Sequence, residues 1–156
     1  MPKRLPEFFV IDILVSIETI QRYMKKVRNE IEFVTDEAVF KIVTRELEII
    51  GEATGQLLKA AAIAKLVRPE WRRVVNFRNV ISHEYFGLDY EEIYMIVTEK
   101  LPQFDKEVRE LSRELNKEPL LIAALAQTKS DLKKIGRLKS VKFLEKFEKS
   151  LKGRKQ

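Results

Sequence analysis

Cysteine is absent from the 156 residues, and histidine occurs once, as His83. The lack of cysteine excludes a disulfide scaffold, a thiolate zinc site and a cysteine nucleophile, and it suits a reducing compartment. Glycine and proline are scarce, five of each, which favours helix. Long apolar runs are also missing. The opening stretch MPKRLPEFFVIDILVSIETI is broken by Glu7, Asp12 and Glu18 and has no small-residue cleavage site, unlike a secretory leader. No segment reaches the roughly 18 uninterrupted apolar residues of a membrane span. The expectation is a cytoplasmic protein with no membrane association.

What is present is helix-forming. Leu, Ile, Glu, Lys and Arg dominate a chain that is 45% hydrophobic and 35% charged, which allows a buried core and favours helix throughout. The net charge of +6 is unevenly placed. Residues 117–156 carry 12 lysines and arginines against 4 acids, a net of +8, whereas residues 1–116 come to −2. This shift in composition divides the chain into a nearly neutral body (1–116) and a basic extension (117–156).

Hydrophobic spacing then predicts the elements. Pro6 suits a first helical turn, and Phe9, Ile13, Ser16/Ile17, Ile20, Met24 and Val27 predict a helix over about 6–30. Asp36 is an N-cap for a second helix to about residue 60, with Gly51 and Gly55 one turn apart as packing sites for another helix. Pro69 opens a third helix that carries Trp71, Val74, Val75, Phe77 and Ile81 and ends near Gly87, a C′ residue. Trp71 reads as core or interface. Asp89 caps a fourth helix to Leu115, in which Pro102 predicts a kink or a break. Beyond Pro119, a short apolar patch (Leu120–Leu125) precedes one further helix. Its narrow stripe is Leu132, Ile135, Leu138, Val141, Leu144, Phe147 and Leu151, opposite a lysine-rich face. The fold class is all-α, an antiparallel four-helix bundle with an extra C-terminal basic helix.

Chemistry concentrates at Arg78-Asn79-Val80-Ile81-Ser82-His83-Glu84-Tyr85. A lone histidine near a helix end can be a mere cap or packing residue, but its neighbours here are polar. Arg78 lies five residues earlier, about 140° around the helix and roughly 7.5 Å along it, so both side chains can lean over one groove. Asn79 stands one turn before His83 and can orient its imidazole. Ser82 stands one turn after Arg78. Val80 and Ile81 are read as anchoring the helix. Arginine grips phosphate with two parallel N–H donors, and histidine moves protons near neutral pH. Metal-free RNA cleavage by the ribose 2′-hydroxyl needs a base, an acid and a cation for the developing charge. One histidine does not readily serve as acid and base at once. A nuclease built on this motif therefore calls for two chains that share a cleft, or for His83 acting with Tyr85.

Arg78-Asn79-x3-His83-x-Tyr85 resembles the Rx4HxY motif of the HEPN superfamily, in its HepT-like branch. Ile50-Gly51-Glu52-Ala53 is similar to that branch's IGEA segment, and Pro69-x-Trp71-Arg72 resembles its Pro-x-Trp approach to the motif helix. The resemblance covers about residues 8–115. It implies a four-helix bundle that forms a homodimer with the motifs facing each other, and a ribonuclease toxin that uses no metal or other cofactor. It further implies an antitoxin partner, an MntA-like minimal nucleotidyltransferase that transfers AMP groups to the motif tyrosine. Arg78 and His83 would be catalytic, Asn79 and Ser82 supporting, and Tyr85 the modified residue, where added bulk and negative charge would block a phosphate cleft. The alternative is a HEPN module that binds RNA or nucleotide without cutting it. The basic extension has three readings: a solvated helix packed on the bundle, an acidic-partner dock, or an RNA-binding element with Lys133, Lys134, Arg137 and Lys139 as phosphate contacts.

Overall fold

The computed structural model describes residues 4–83, 89–117 and 119–153, apart from the side chains of Ser82 and His83. Every regular element among them is helical: α1 (Pro6–Met24), α2 (Glu30–Thr35), α3 (Glu37–Lys59), α4 (Arg72–His83), α5 (Tyr90–Met95), α6 (Leu101–Leu115), α7 (Leu120–Lys134) and α8 (Leu138–Lys152). The all-α expectation holds.

The expected first helix, 6–30, ends at Met24, and a short second helix follows. Its start is fixed by reciprocal capping: Glu32 N–H donates to Asn29 Oδ1 (2.9 Å), and Arg28 N–H donates to Glu32 Oε2 (2.8 Å). Two backbone donors at a helix start are thereby satisfied, and Phe33 is driven fully into the core. Asp36 caps α3 as expected, accepting from Val39 N–H at 3.2 Å. Asp89 likewise caps α5 through Glu91 and Glu92 N–H. The expected C′ residue Gly87 lies outside the described residues.

Pro102 does not break the fourth helix. α5 continues into α6 through a π-helical stretch, Ile96–Lys100, where Leu101 N–H reaches back to Ile96 O. All flanking residues keep right-handed helical angles. The wider turn rearranges the carbonyls in front of a proline that has no N–H to offer them.

α1 explains the tertiary arrangement. Val10, Ile11, Ile13, Leu14, Ile17 and Ile20 are all buried, a band too wide for one face, and a helix apolar on several sides must be covered on several sides. α3 and α6 cover part of it, and α7 and α8 cover the rest. The C-terminal region therefore contributes Leu121, Ala124, Leu125, Leu144, Phe147 and Leu151 to one continuous core.

That region also departs from expectation. Instead of one helix after an apolar patch, it forms an α7–α8 hairpin. Gly136 adopts φ 75°, Arg137 N–H bonds Leu132 O (2.9 Å), and Gly136 N–H bonds Lys133 O (3.1 Å). These two bonds form a Schellman stop, which needs a left-handed residue and is served by glycine. The stripe is interrupted there: Ile135 and Leu138 are 66% and 59% exposed rather than packed. Among the described residues, no helix is long and apolar enough to cross a membrane.

Candidate functional site

The motif helix α4 is set in place from both ends of its first turns. A 3-10 turn, Pro69–Trp71, leads into it, and Trp71 is 2% exposed with its indole edge-on to Phe104 at 5.3 Å. Its Nε1–H donates to Glu107 Oε1 (2.9 Å), and Gln103 donates to the other carboxylate oxygen at 3.2 Å. Arg68 bridges Glu107 and Glu110 at 3.6 and 2.7 Å. Trp71 is thus a core anchor that ties the start of α4 to α6. The periodicity of α6 marked Phe104, but nothing in the sequence paired Glu107 with Trp71.

Along its length, α4 lies against α3, and the glycines set the spacing. A Cβ on Gly55 would meet the Val75 methyls at 3.7 and 3.9 Å, ordinary contact. A Cβ on Gly51 would collide with Arg78 Cβ, with Arg78 Cγ at 2.7 Å and Val74 O at 3.3 Å. Both glycines are helix-packing sites, as their spacing predicts. Gly51 is more than that: the absent side chain is the seat over which the Arg78 stem lies.

Arg78 is half-buried and its Nη1 donates to Asn79 Oδ1 at 3.1 Å. No carboxylate pairs with it among the described residues. α4 itself holds Arg72, Arg73 and Arg78 and no acid, and the Arg78 guanidinium is of the type suited to an anion. Asn79 is exposed and engages Arg78. His83 is the last residue of α4, but its imidazole and the Ser82 hydroxyl are not described, and Tyr85 lies outside the described residues. Ile81 is buried as expected, whereas Val80, read as an anchor, is 44% exposed. Positions 80 and 81 point about 100° apart on a helix, and only one of them can face α3.

The four cations marked in the extension, Lys133, Lys134, Arg137 and Lys139, are all exposed and cluster on the α7–α8 turn. Two of them, Arg137 and Lys139, line a groove of about 520 Å³ together with Arg22, Tyr23 and Glu46 among others. Burial pushes the Glu46 carboxyl above its ordinary range, opposed by the Ser16 hydroxyl and by the charges of Arg45, Arg137 and Arg22. Tyr94 packs on Phe33 with ring centres 5.9 Å apart.

A small helical bundle that seats an arginine over a glycine, with no carboxylate paired to it among the described residues, five positions before the chain's single histidine defines a class of protein by its residue types, an anion-binding guanidinium and a proton carrier on one helix. Comparison with known proteins makes this specific. The family model described as Ribonuclease HepT-like matches residues 13–111. "Putative RNase MJ1380" of Methanocaldococcus jannaschii is 35% identical over 108 residues, covering 69% of this chain and 97% of that protein. "Putative RNase TTE0752" of Caldanaerobacter subterraneus is 31% identical, covering 69% and 95%. "Probable ribonuclease HepT" of Thermococcus cleftensis is 30% identical, covering 71% and 99%. No solved structure gives a significant match. The chain belongs to the HepT-like family.

Proposed function

We propose that this chain is a metal-independent endoribonuclease, acting in the cytoplasm as the toxin of a toxin–antitoxin pair. The observation that carries the reading is Arg78, held over Gly51 with no carboxylate to neutralise it among the described residues, in a chain whose relatives bear ribonuclease names. In the reaction, a base takes the ribose 2′-hydroxyl proton, and that oxygen forms a bond to the adjacent phosphorus. The bond from phosphorus to the 5′-oxygen of the next nucleotide breaks, and an acid returns a proton to that leaving oxygen. Arg78 stabilises the extra negative charge on the phosphoryl oxygens. His83 supplies the base, and the His83 of a second copy supplies the acid, so a homodimer completes the site. Asn79 holds the guanidinium in position, with Ser82 one turn from it. Tyr85, two residues beyond His83, is the point at which a minimal nucleotidyltransferase antitoxin blocks the cleft by transferring AMP.

The test is incubation of the protein and its His83→Ala variant with RNA in EDTA. Cleavage by the parent alone is expected. RNA or nucleotide bound but cut by neither would replace the nuclease with a non-catalytic binding module. Light scattering that finds a strict monomer at working concentrations would overturn the shared site.

A further inference from the structure

We propose that the α7–α8 turn is a second phosphate-binding site, which holds the backbone of a single RNA strand on its way to the motif helix. The family match ends at residue 111, so this hairpin is an addition to the unit that carries Arg78 and His83. The segment to which it belongs, residues 117–156, also holds the chain's whole excess of positive charge, a net of +8. Where its lysines could be neutralised, some are: Lys129 pairs with Glu148 at 2.8 Å and Lys117 with Glu114 at 2.7 Å. Lys133, Lys134 and Lys139 have no such partner among the described residues and stand exposed. Arg137 joins them, with Glu46 the one acid lining the groove below. The left-handed Gly136 folds the chain back between the two pairs of residues, so cations from the end of α7 and the start of α8 converge on one turn.

Position ties this turn to the motif. Gly55 faces Val75 and Gly51 faces Arg78, so α3 and α4 run antiparallel and each step back on α3 matches a step forward on α4. At 1.5 Å per residue, the backbone of His83 comes level with about residue 46 of α3. Glu46 lines the groove under the basic turn. The groove and the end of the motif helix therefore lie at about the same level of α3 but on different sides of it, since Glu46 stands about 140° around the helix from Gly51. A strand of several nucleotides that passes around α3 would join them. Tyr23 lies in the groove with the Arg22 guanidinium 5.5 Å over its ring, and the exposed Ile135 and Leu138 beside it offer apolar contacts to unpaired bases while the cations track phosphates.

The proposal deepens the ribonuclease reading, and its test is made on binding alone, in a His83→Ala background. A fluorescein-labelled oligouridylate of about 12 nucleotides is titrated by anisotropy at several salt concentrations. Replacing Lys133, Lys134, Arg137 and Lys139 together by Gln should weaken binding at least about tenfold and make the log–log salt slope shallower by about 3, near 0.7 per lost single-strand contact. Replacing the exposed Lys59, Lys65, Lys100 and Lys106 removes the same charge elsewhere and should leave binding within about twofold, since screening confines these effects to about 10 Å. Lys133→Arg, Lys134→Arg and Lys139→Arg together should retain binding. Equal affinity for parent and the turn variant, or equal losses in both Gln variants, would overturn the proposal. So would a parent that ignores RNA but binds poly-glutamate through the same four residues, which would point to an acidic protein partner. Binding that depends on the turn, in a protein whose parent form cuts no RNA, would sustain this site and refute the nuclease.

Discussion

Gly51→Ala should inactivate the protein far more than it destabilises it. The new methyl would lie against Arg78 Cβ and within 2.7 Å of Arg78 Cγ, where carbon atoms normally keep about 3.5–4.0 Å. The obstructing atoms belong to the root of the side chain, so rotating the guanidinium does not relieve the clash, and α4 has to move by about 1 Å. Overpacking of this kind costs about 1–3 kcal/mol. Replacing glycine within a helix recovers about 1 kcal/mol, which leaves a net loss of about 0–2 kcal/mol. At this chain length that lowers Tm by several degrees at most, taking about 2–4 °C per kcal/mol. Catalysis is less forgiving, since a displacement of about 1 Å can cost about 100-fold. Gly55→Ala is the internal comparison, because its methyl meets Val75 at 3.7 Å without conflict. It should gain about 1 kcal/mol from helix propensity and cut RNA as the parent does. Melting curves and cleavage rates on the three proteins test this directly. If Gly51→Ala cuts at the parental rate and melts like Gly55→Ala, Arg78 is not seated as argued.

Other expectations follow from single contacts. Trp71→Ala empties a buried site and strands Glu107, and should cost about 3–5 kcal/mol in denaturant unfolding; a loss under about 1 kcal/mol would contradict its anchoring role. Gly136→Ala meets nothing within 4 Å, so its cost is conformational alone; at φ 75° it should lose about 1–2 kcal/mol, read as a lower Tm. Glu46 titrates above its ordinary value of 4.5 because it is buried. The folded protein then holds a proton the unfolded chain has released, so stability falls as pH rises from 4.5 through the raised value. Glu46→Gln should gain on the parent across that window, and parallel pH–stability curves for the two would refute the assignment.

Much of the fold was legible in the sequence because it is decided locally. Asp36 and Asp89 cap the helices that follow them through side-chain bonds to N–H groups two or three residues on. Proline at 6 and 69 opens a helical turn in each case, having no N–H to waste. The same local rules were written at Asn29-x-x-Glu32 and at Gly136. They were hidden there by apolar spacings that ran on through Met24–Val27 and Leu132–Leu138 as though a single helix continued. Apolar periodicity records which residues could share a face, and a cap or a left-handed glycine overrides it.

The motif residues and their chemical types were also present in the sequence, since Arg78, Asn79 and His83 stand within two turns of one helix. Only the tertiary structure decided what holds Arg78. Gly51 is 27 positions away, and its missing side chain matters because α3 and α4 pack close enough for one stem to fill that space. The same holds for Trp71 on Glu107 and for the basic turn beside Glu46. Caps and helical periods arise from neighbours within one turn, whereas a seat, an anchor and a groove require the relative rotation and register of packed helices, which no local pattern specifies.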